Sequence, residues 1–197
     1  MEWENALNKF KNFLKIERNM SDNTIQSYLY DIKKLKSFTH DKKINKNPTK
    51  LSEDEIRKFV FFISKEIKSR TQARIISGLK KFFDFLLIEN LISDNPVDNI
   101  ETPKVGVNLP NTLSLNEIDK IISTINLKSK NGKRNIAIVE LLYSCGLRVS
   151  ELIELKISDL FFRESLIKVT GKGNKERFVP VSKLAQKYIF EYIKNSR

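Results

Sequence analysis

Cysteine, histidine and tryptophan occur once each in these 197 residues, with only six glycines and five prolines. One cysteine excludes an intramolecular disulfide and a thiolate metal cage, and one histidine leaves too few ligands for a zinc site. No apolar run approaches the roughly 18–20 residues of a membrane-crossing helix. The opening, where Trp3, Leu7 and Phe10 alternate with Glu, Asn and Lys, is no secretory pattern. A cytoplasmic protein without a metal or another cofactor is the expectation. Also missing are a carboxylate cluster of the two-metal nuclease kind and a histidine placed for a Ser-His-Asp triad, since His40 lies in a polar, solvated turn. Cys145, on an apolar helix with no histidine near it, reads as a packing residue.

What is abundant is positive charge: 36 Lys and Arg against 24 Asp and Glu, a formal +12 and a pI near 9.7. That balance suits a protein that meets a polyanion, most commonly nucleic acid, although a generally lysine-rich surface accounts for it as well. The excess is not a tail. Residues 1–100 carry 19 basic against 14 acidic side chains and residues 101–197 carry 17 against 10, as two domains gripping one duplex would. With 40% hydrophobic residues and 13 Phe there is material for real cores, so disorder is excluded.

Residues 1–95 read as a four-helix bundle. Trp3, Leu7, Phe10 and Leu14 recur at helical spacing, and Ser21 caps a second helix whose stripe is Ile25, Tyr28, Leu29, Ile32 and Leu35. Ser52 and Glu55 form a capping box ahead of Ile56, Phe59, Val60, Ile63 and Ile67. A similar box, Ser69 and Gln72, precedes Ile75, Ile76, Leu79, Phe82, Phe83 and Leu86. The Phe59-Phe61-Phe62 and Phe82-Phe83-Phe85 clusters read mostly as bundle core rather than as a base-stacking platform. Pro96, Pro103, Pro110 and Gly106 then mark residues 96–111 as an interdomain linker.

Residues 112–197 begin helical, with a Ser114/Glu117 box, then an apolar helix over Ile136–Tyr143 that Gly146 can end, and a short helix over Val149–Leu155. Two strand-like runs, 166–170 and 177–181, flank Gly171-Lys172-Gly173-Asn174, a hairpin turn, and a last helix starts near Ser182. The expected fold is mainly α, a helical bundle plus an α+β second domain with a β-hairpin.

Two residues carry candidate chemistry. Arg148, placed between two helices after Gly146, can grip a phosphate with parallel hydrogen bonds, or can be a structural arginine paired with Glu151 three residues on. Lys172, between two glycines at a hairpin tip, can neutralise a phosphate or donate a proton to a leaving oxygen, or can be an ordinary solvated turn lysine. The Gly171-Lys172-Gly173 run is no phosphate loop, because no helix follows it.

Taken together, Gly146-Leu147-Arg148-Val149-Ser150-Glu151-Leu152 and Gly171-Lys172-Gly173-Asn174-Lys175-Glu176-Arg177 resemble the tyrosine recombinases of the phage-integrase family, most of all the Xer-like subgroup that resolves chromosome dimers. The segments 21–28 and 78–83, Leu109-Pro110 and Leu113-Ser114 fit the same pattern in the same order. The resemblance implies a SAM-like core-binding bundle and a catalytic domain closing on DNA. It also implies attack by a tyrosine on a scissile phosphate, giving a 3′-phosphotyrosine link, with no metal and no nucleotide. Arg148 matches the first catalytic arginine, Lys172 the hairpin general acid, and Glu151 a supporting acidic position. Implied partners are a double-stranded DNA recombination site, a second recombinase or further copies in a tetramer, and a septal DNA translocase. The family's later His-x-x-Arg segment, further His or Trp and nucleophilic Tyr have no match here, and Tyr28, Tyr30, Tyr143, Tyr188 and Tyr192 all precede that region. The expectation is a truncated catalytic domain, in a chain that binds DNA without cutting it. A non-catalytic DNA-binding protein that keeps the clamp is the alternative.

Overall fold

The computed structural model describes residues 1–106, 110–171 and 173–196. The chain divides into two units, Met1–Asn108 and Leu109–Arg197.

In the first unit, helix α1 (Trp3–Asn12) runs on into a π-helical turn, Phe13–Glu17, so that Ala6, Leu7, Phe10, Phe13 and Leu14 share one buried face. Helix α2 (Asp22–Asp41) starts where the Ser21 hydroxyl accepts the Thr24 N–H, satisfying a donor that has no partner within the helix. Helix α3 (Glu53–Ser64) opens on the Ser52/Glu55 box. Helix α4 (Ser69–Ile88) departs from the expected cap: Lys68 occupies the N-cap and no side chain bonds there, because Ser69 is already helical. Core packing is aromatic. The ring of Phe82 meets those of Phe10 and Phe83, each at 5.3 Å, and Phe38 meets Phe59 at 5.4 Å. Of the two aromatic clusters, Phe61 and Phe62 fall outside the core and are exposed.

Between α2 and α4 lies a polar contact that periodicity does not announce. Asp31 is buried and accepts both nitrogens of the Arg74 fork, at 2.6 and 2.8 Å. Burial pushes its carboxyl above the usual range, against the pull of Arg74. Gly78 makes room, since a Cβ there would lie 2.9 Å from Asp31 Oδ2.

The segment expected as linker from residue 96 begins as part of this unit. Val97 and Ile100 are buried in the bundle core. Asn95 Nδ2 donates to Asp84 Oδ1, Asn99 Nδ2 donates to Glu53 Oε2, and Lys80 pairs with Asp98.

The second unit holds α5 (Leu115–Ser123), α6 (Gly132–Ser144), α7 (Val149–Glu154), a three-stranded antiparallel sheet in the order β1 (Leu160–Phe161), β2 (Leu166–Thr170), β3 (Glu176–Pro180), and α8 (Lys183–Ser196). The Ser114/Glu117 box caps α5. Leu141, Leu147, Ile167, Val169, Val181, Ala185 and Ile189 form its core. Alternation along β2 buries Ile167 and Val169 and sets the register, Ile167 opposite Val179 and Val169 opposite Arg177. Among the described residues no helix is long and apolar enough to cross a membrane.

Candidate functional site

Helix α6 ends at Ser144, and Gly146 follows at φ 60°, the left-handed conformation that glycine adopts without a Cβ penalty. The chain reverses, Leu147 is buried, and Arg148 becomes the N-cap of α7 in extended conformation. Its backbone N–H donates to Glu151 Oε2 at 2.8 Å and its Nη1 donates to Oε1 at 2.9 Å.

Glu151 has a second arginine. Arg177, delivered by β3, donates Nη1 to Oε1 at 2.6 Å and Nη2 to Oε2 at 2.9 Å. Each carboxylate oxygen therefore accepts from both arginines, and the side chain is only 1% exposed. Arg177 first, then the Arg148 N–H, hold the carboxyl down at about 2 against the opposing effect of burial. The carboxylate is thus ionised at any physiological pH, with its acceptor capacity filled.

Arg148 and Glu151 form the expected pair, but through a single guanidinium nitrogen, and the Arg148 side chain remains 68% exposed. Structural pairing and phosphate contact are therefore compatible in one side chain. Lys172 lies outside the described residues. Its neighbour Gly171 lies against the cluster: a Cβ there would be 3.3 Å from both Arg177 Nη1 and Glu151 Oε1. Gly173 and Asn174, at φ 76° and 59°, shape the rest of the turn.

Sequence reasoning missed Arg177 as a member of this cluster. Cross-strand partners share a face of the sheet, and only the register that sets Arg177 opposite the core residue Val169 brings it to Glu151. His40 is exposed beside Asp41, and Cys145 is partly buried with its thiol pushed up by desolvation. No three His, Cys, Asp or Glu side chains among the described residues are grouped to hold a metal ion.

The phage integrase family model matches residues 111–197, and that of the phage integrase N-terminal SAM-like domain matches residues 7–90. The chain belongs to the phage integrase family. Its first unit carries the SAM-like domain of phage integrases, and the mainly α fold with a small sheet is the one expected from sequence. The tyrosine recombinase XerD of Oceanobacillus iheyensis is 40% identical over 195 residues, covering 98% of this chain and 65% of the relative. The tyrosine recombinase XerD of Listeria innocua is 36% identical over 192 residues, covering 97% and 65%. The chain thus spans about 65% of the length of these curated relatives. A solved lambda integrase(75-356) dimer bound to a COC' core site has the same fold, with a TM-score of 0.75 at 20% identity over 99% of this chain and 70% of that one.

Proposed function

We propose that this chain is the DNA-gripping and part-catalytic portion of a tyrosine-type site-specific recombinase, Xer-like, acting in the cytoplasm on chromosome dimers. Arg148 carries the reading: a largely exposed guanidinium, anchored by one nitrogen to a buried ionised carboxylate, beside a hairpin turn that bears a lysine, in a chain whose relatives are tyrosine recombinases. Such a group is preorganised for the non-bridging oxygens of a phosphodiester, where charge builds during transfer. Lys172 gives a proton to the 5′ oxygen as the P–O5′ bond breaks and the tyrosine oxygen forms its bond to phosphorus. Glu151 orients Arg148 and stays ionised. The five tyrosines here stand outside the nucleophile's place in the family pattern, so these 197 residues bind duplex DNA and do not cut it. Within the complete enzyme, copies or a second recombinase assemble as a tetramer on paired sites, with a septal DNA translocase as a further partner.

The test is fluorescence anisotropy with a labelled duplex, followed by incubation with a nicked suicide substrate. Affinity should fall steeply with salt, with a log–log slope of about −0.9 per phosphate neutralised, and no covalent adduct should form. No duplex binding at low salt would overturn the reading, and a phosphotyrosine adduct would overturn its non-cutting half. A chain extended by the relatives' remaining third that still forms no adduct would point to the non-catalytic DNA-binding alternative.

A further inference from the structure

Four hydrogen bonds converge on Glu151, two from each arginine, and they are not equivalent. Arg177 uses the tips of its fork, one on each oxygen, whereas Arg148 uses its backbone N–H on one oxygen and a single side-chain nitrogen on the other. A carboxylate is an attractive bidentate partner for any nearby guanidinium, and one with open acceptor sites would draw Arg148 into the same fork–fork geometry. That geometry would take up the nitrogens with which Arg148 could meet a phosphate. With Arg177 in place, both oxygens are filled and the Arg148 head stays largely exposed. Gly171 fits closely over the same pair, so the hairpin turn and the Arg148 junction share one ionic anchor.

We infer that Arg177 is a positioning residue for Arg148: by occupying both oxygens of Glu151 it limits Arg148 to one side-chain bond and keeps the rest of that guanidinium available to a phosphate. The inference rests on the reading of Arg148 as a phosphate group.

The test uses the 197-residue chain labelled with 15N, following the arginine side-chain Nε–H cross-peak of Arg148, assigned by its loss in Arg148→Lys. Inorganic phosphate is the probe. In the wild type the peak shifts saturably. In Arg177→Ala it moves before phosphate is added, as Arg148 closes onto Glu151, and the phosphate Kd rises about tenfold, the equivalent of one charge-assisted hydrogen bond. Arg177→Lys restores a positive donor and part of the affinity. A merely structural Arg177 would alter the amide peaks of β2 and β3 and the melting temperature while leaving the Arg148 peak and its Kd unchanged, and that outcome overturns the inference. Should Arg177→Ala not fold, Gly171→Ala presses on the same anchor with every charge intact and should displace the Arg148 peak in the same experiment. A wild-type Arg148 peak that ignores phosphate would instead remove the phosphate role proposed above, and the peak position without phosphate would still decide what Arg177 does to Arg148.

Discussion

Gly78 offers a test in which two effects of opposite sign can be weighed. In an ordinary helix interior, Gly→Ala stabilises by about 1 kcal/mol, because glycine loses more backbone entropy on folding. In α4 the new methyl would lie 2.9 Å from Asp31 Oδ2 and 3.4 Å from both Asp31 Cβ and Tyr28 Cδ1. Asp31 cannot step aside freely, because it is buried and both of its oxygens hold Arg74. Overpacking of this kind costs about 1–3 kcal/mol, and loosening a charge-assisted hydrogen bond adds about 1.5–3 kcal/mol. The cost outweighs the propensity gain, and Gly78→Ala should destabilise the first unit by about 2 kcal/mol. Trp3 makes the assay local. It is the chain's single tryptophan, it lies in the first unit, and its indole N–H donates to the Lys46 carbonyl at 3.2 Å. Urea unfolding followed by its fluorescence should show the midpoint lowered by about 1 M for a slope of about 2 kcal/mol/M. In an Asp31→Ala background the obstacle is gone, and the same glycine substitution should become stabilising. A raised midpoint in the native background would refute the steric argument, and an unchanged sign after Asp31→Ala would refute the assignment to Asp31.

Three further substitutions test the core and the ion cluster. Phe82→Ala, which empties a fully buried site between Phe10 and Phe83, should cost about 3–5 kcal/mol, whereas Phe61→Ala, at a residue 65% exposed, should stay within about 0.5 kcal/mol; equal losses in Trp3-monitored unfolding would contradict the packing described. Glu151 has a folded pKa of about 2 against an ordinary 4.5, so the unfolded chain binds the extra proton between those values. Its stabilisation of the second unit is therefore present above pH 4.5 and is lost as pH falls toward 2. The acid-induced drop in thermal stability should be shallower in Glu151→Gln, and equal slopes would show that Glu151 is not held down by its arginines.

Helix faces were readable because 3.6-residue periodicity is a local property: Ile25, Leu29, Ile32 and Leu35 reveal the buried side of α2 without reference to any other element. The Ser52 and Ser114 boxes were readable for the same reason, their partners lying three residues away. Ser69 and Gln72 show the limit of that rule, since spacing permits a box but does not compel the helix to start there. Contacts set by tertiary register were out of reach. Asp31 meets Arg74 across 43 positions and Glu151 meets Arg177 across 26, and neither separation carries a period. The short strand β1, two residues long, is below any alternation signal. Arg148 and Glu151 were legible as a pair because they lie one helical turn apart, while the second arginine that fills Glu151 became visible only with the hairpin register.

The fastening of residues 95–100 onto the bundle bears on how the first unit can be isolated. Proline content suggests dividing the chain near residue 95, which would discard Val97 and Ile100 from the core along with the Asn99 and Asp98 contacts to α3 and α4. A fragment cut there would present a raw apolar scar on its surface. One extending past Ile100 keeps its seam closed, and Glu101 becomes the earliest sensible place for a protease site or a fusion joint.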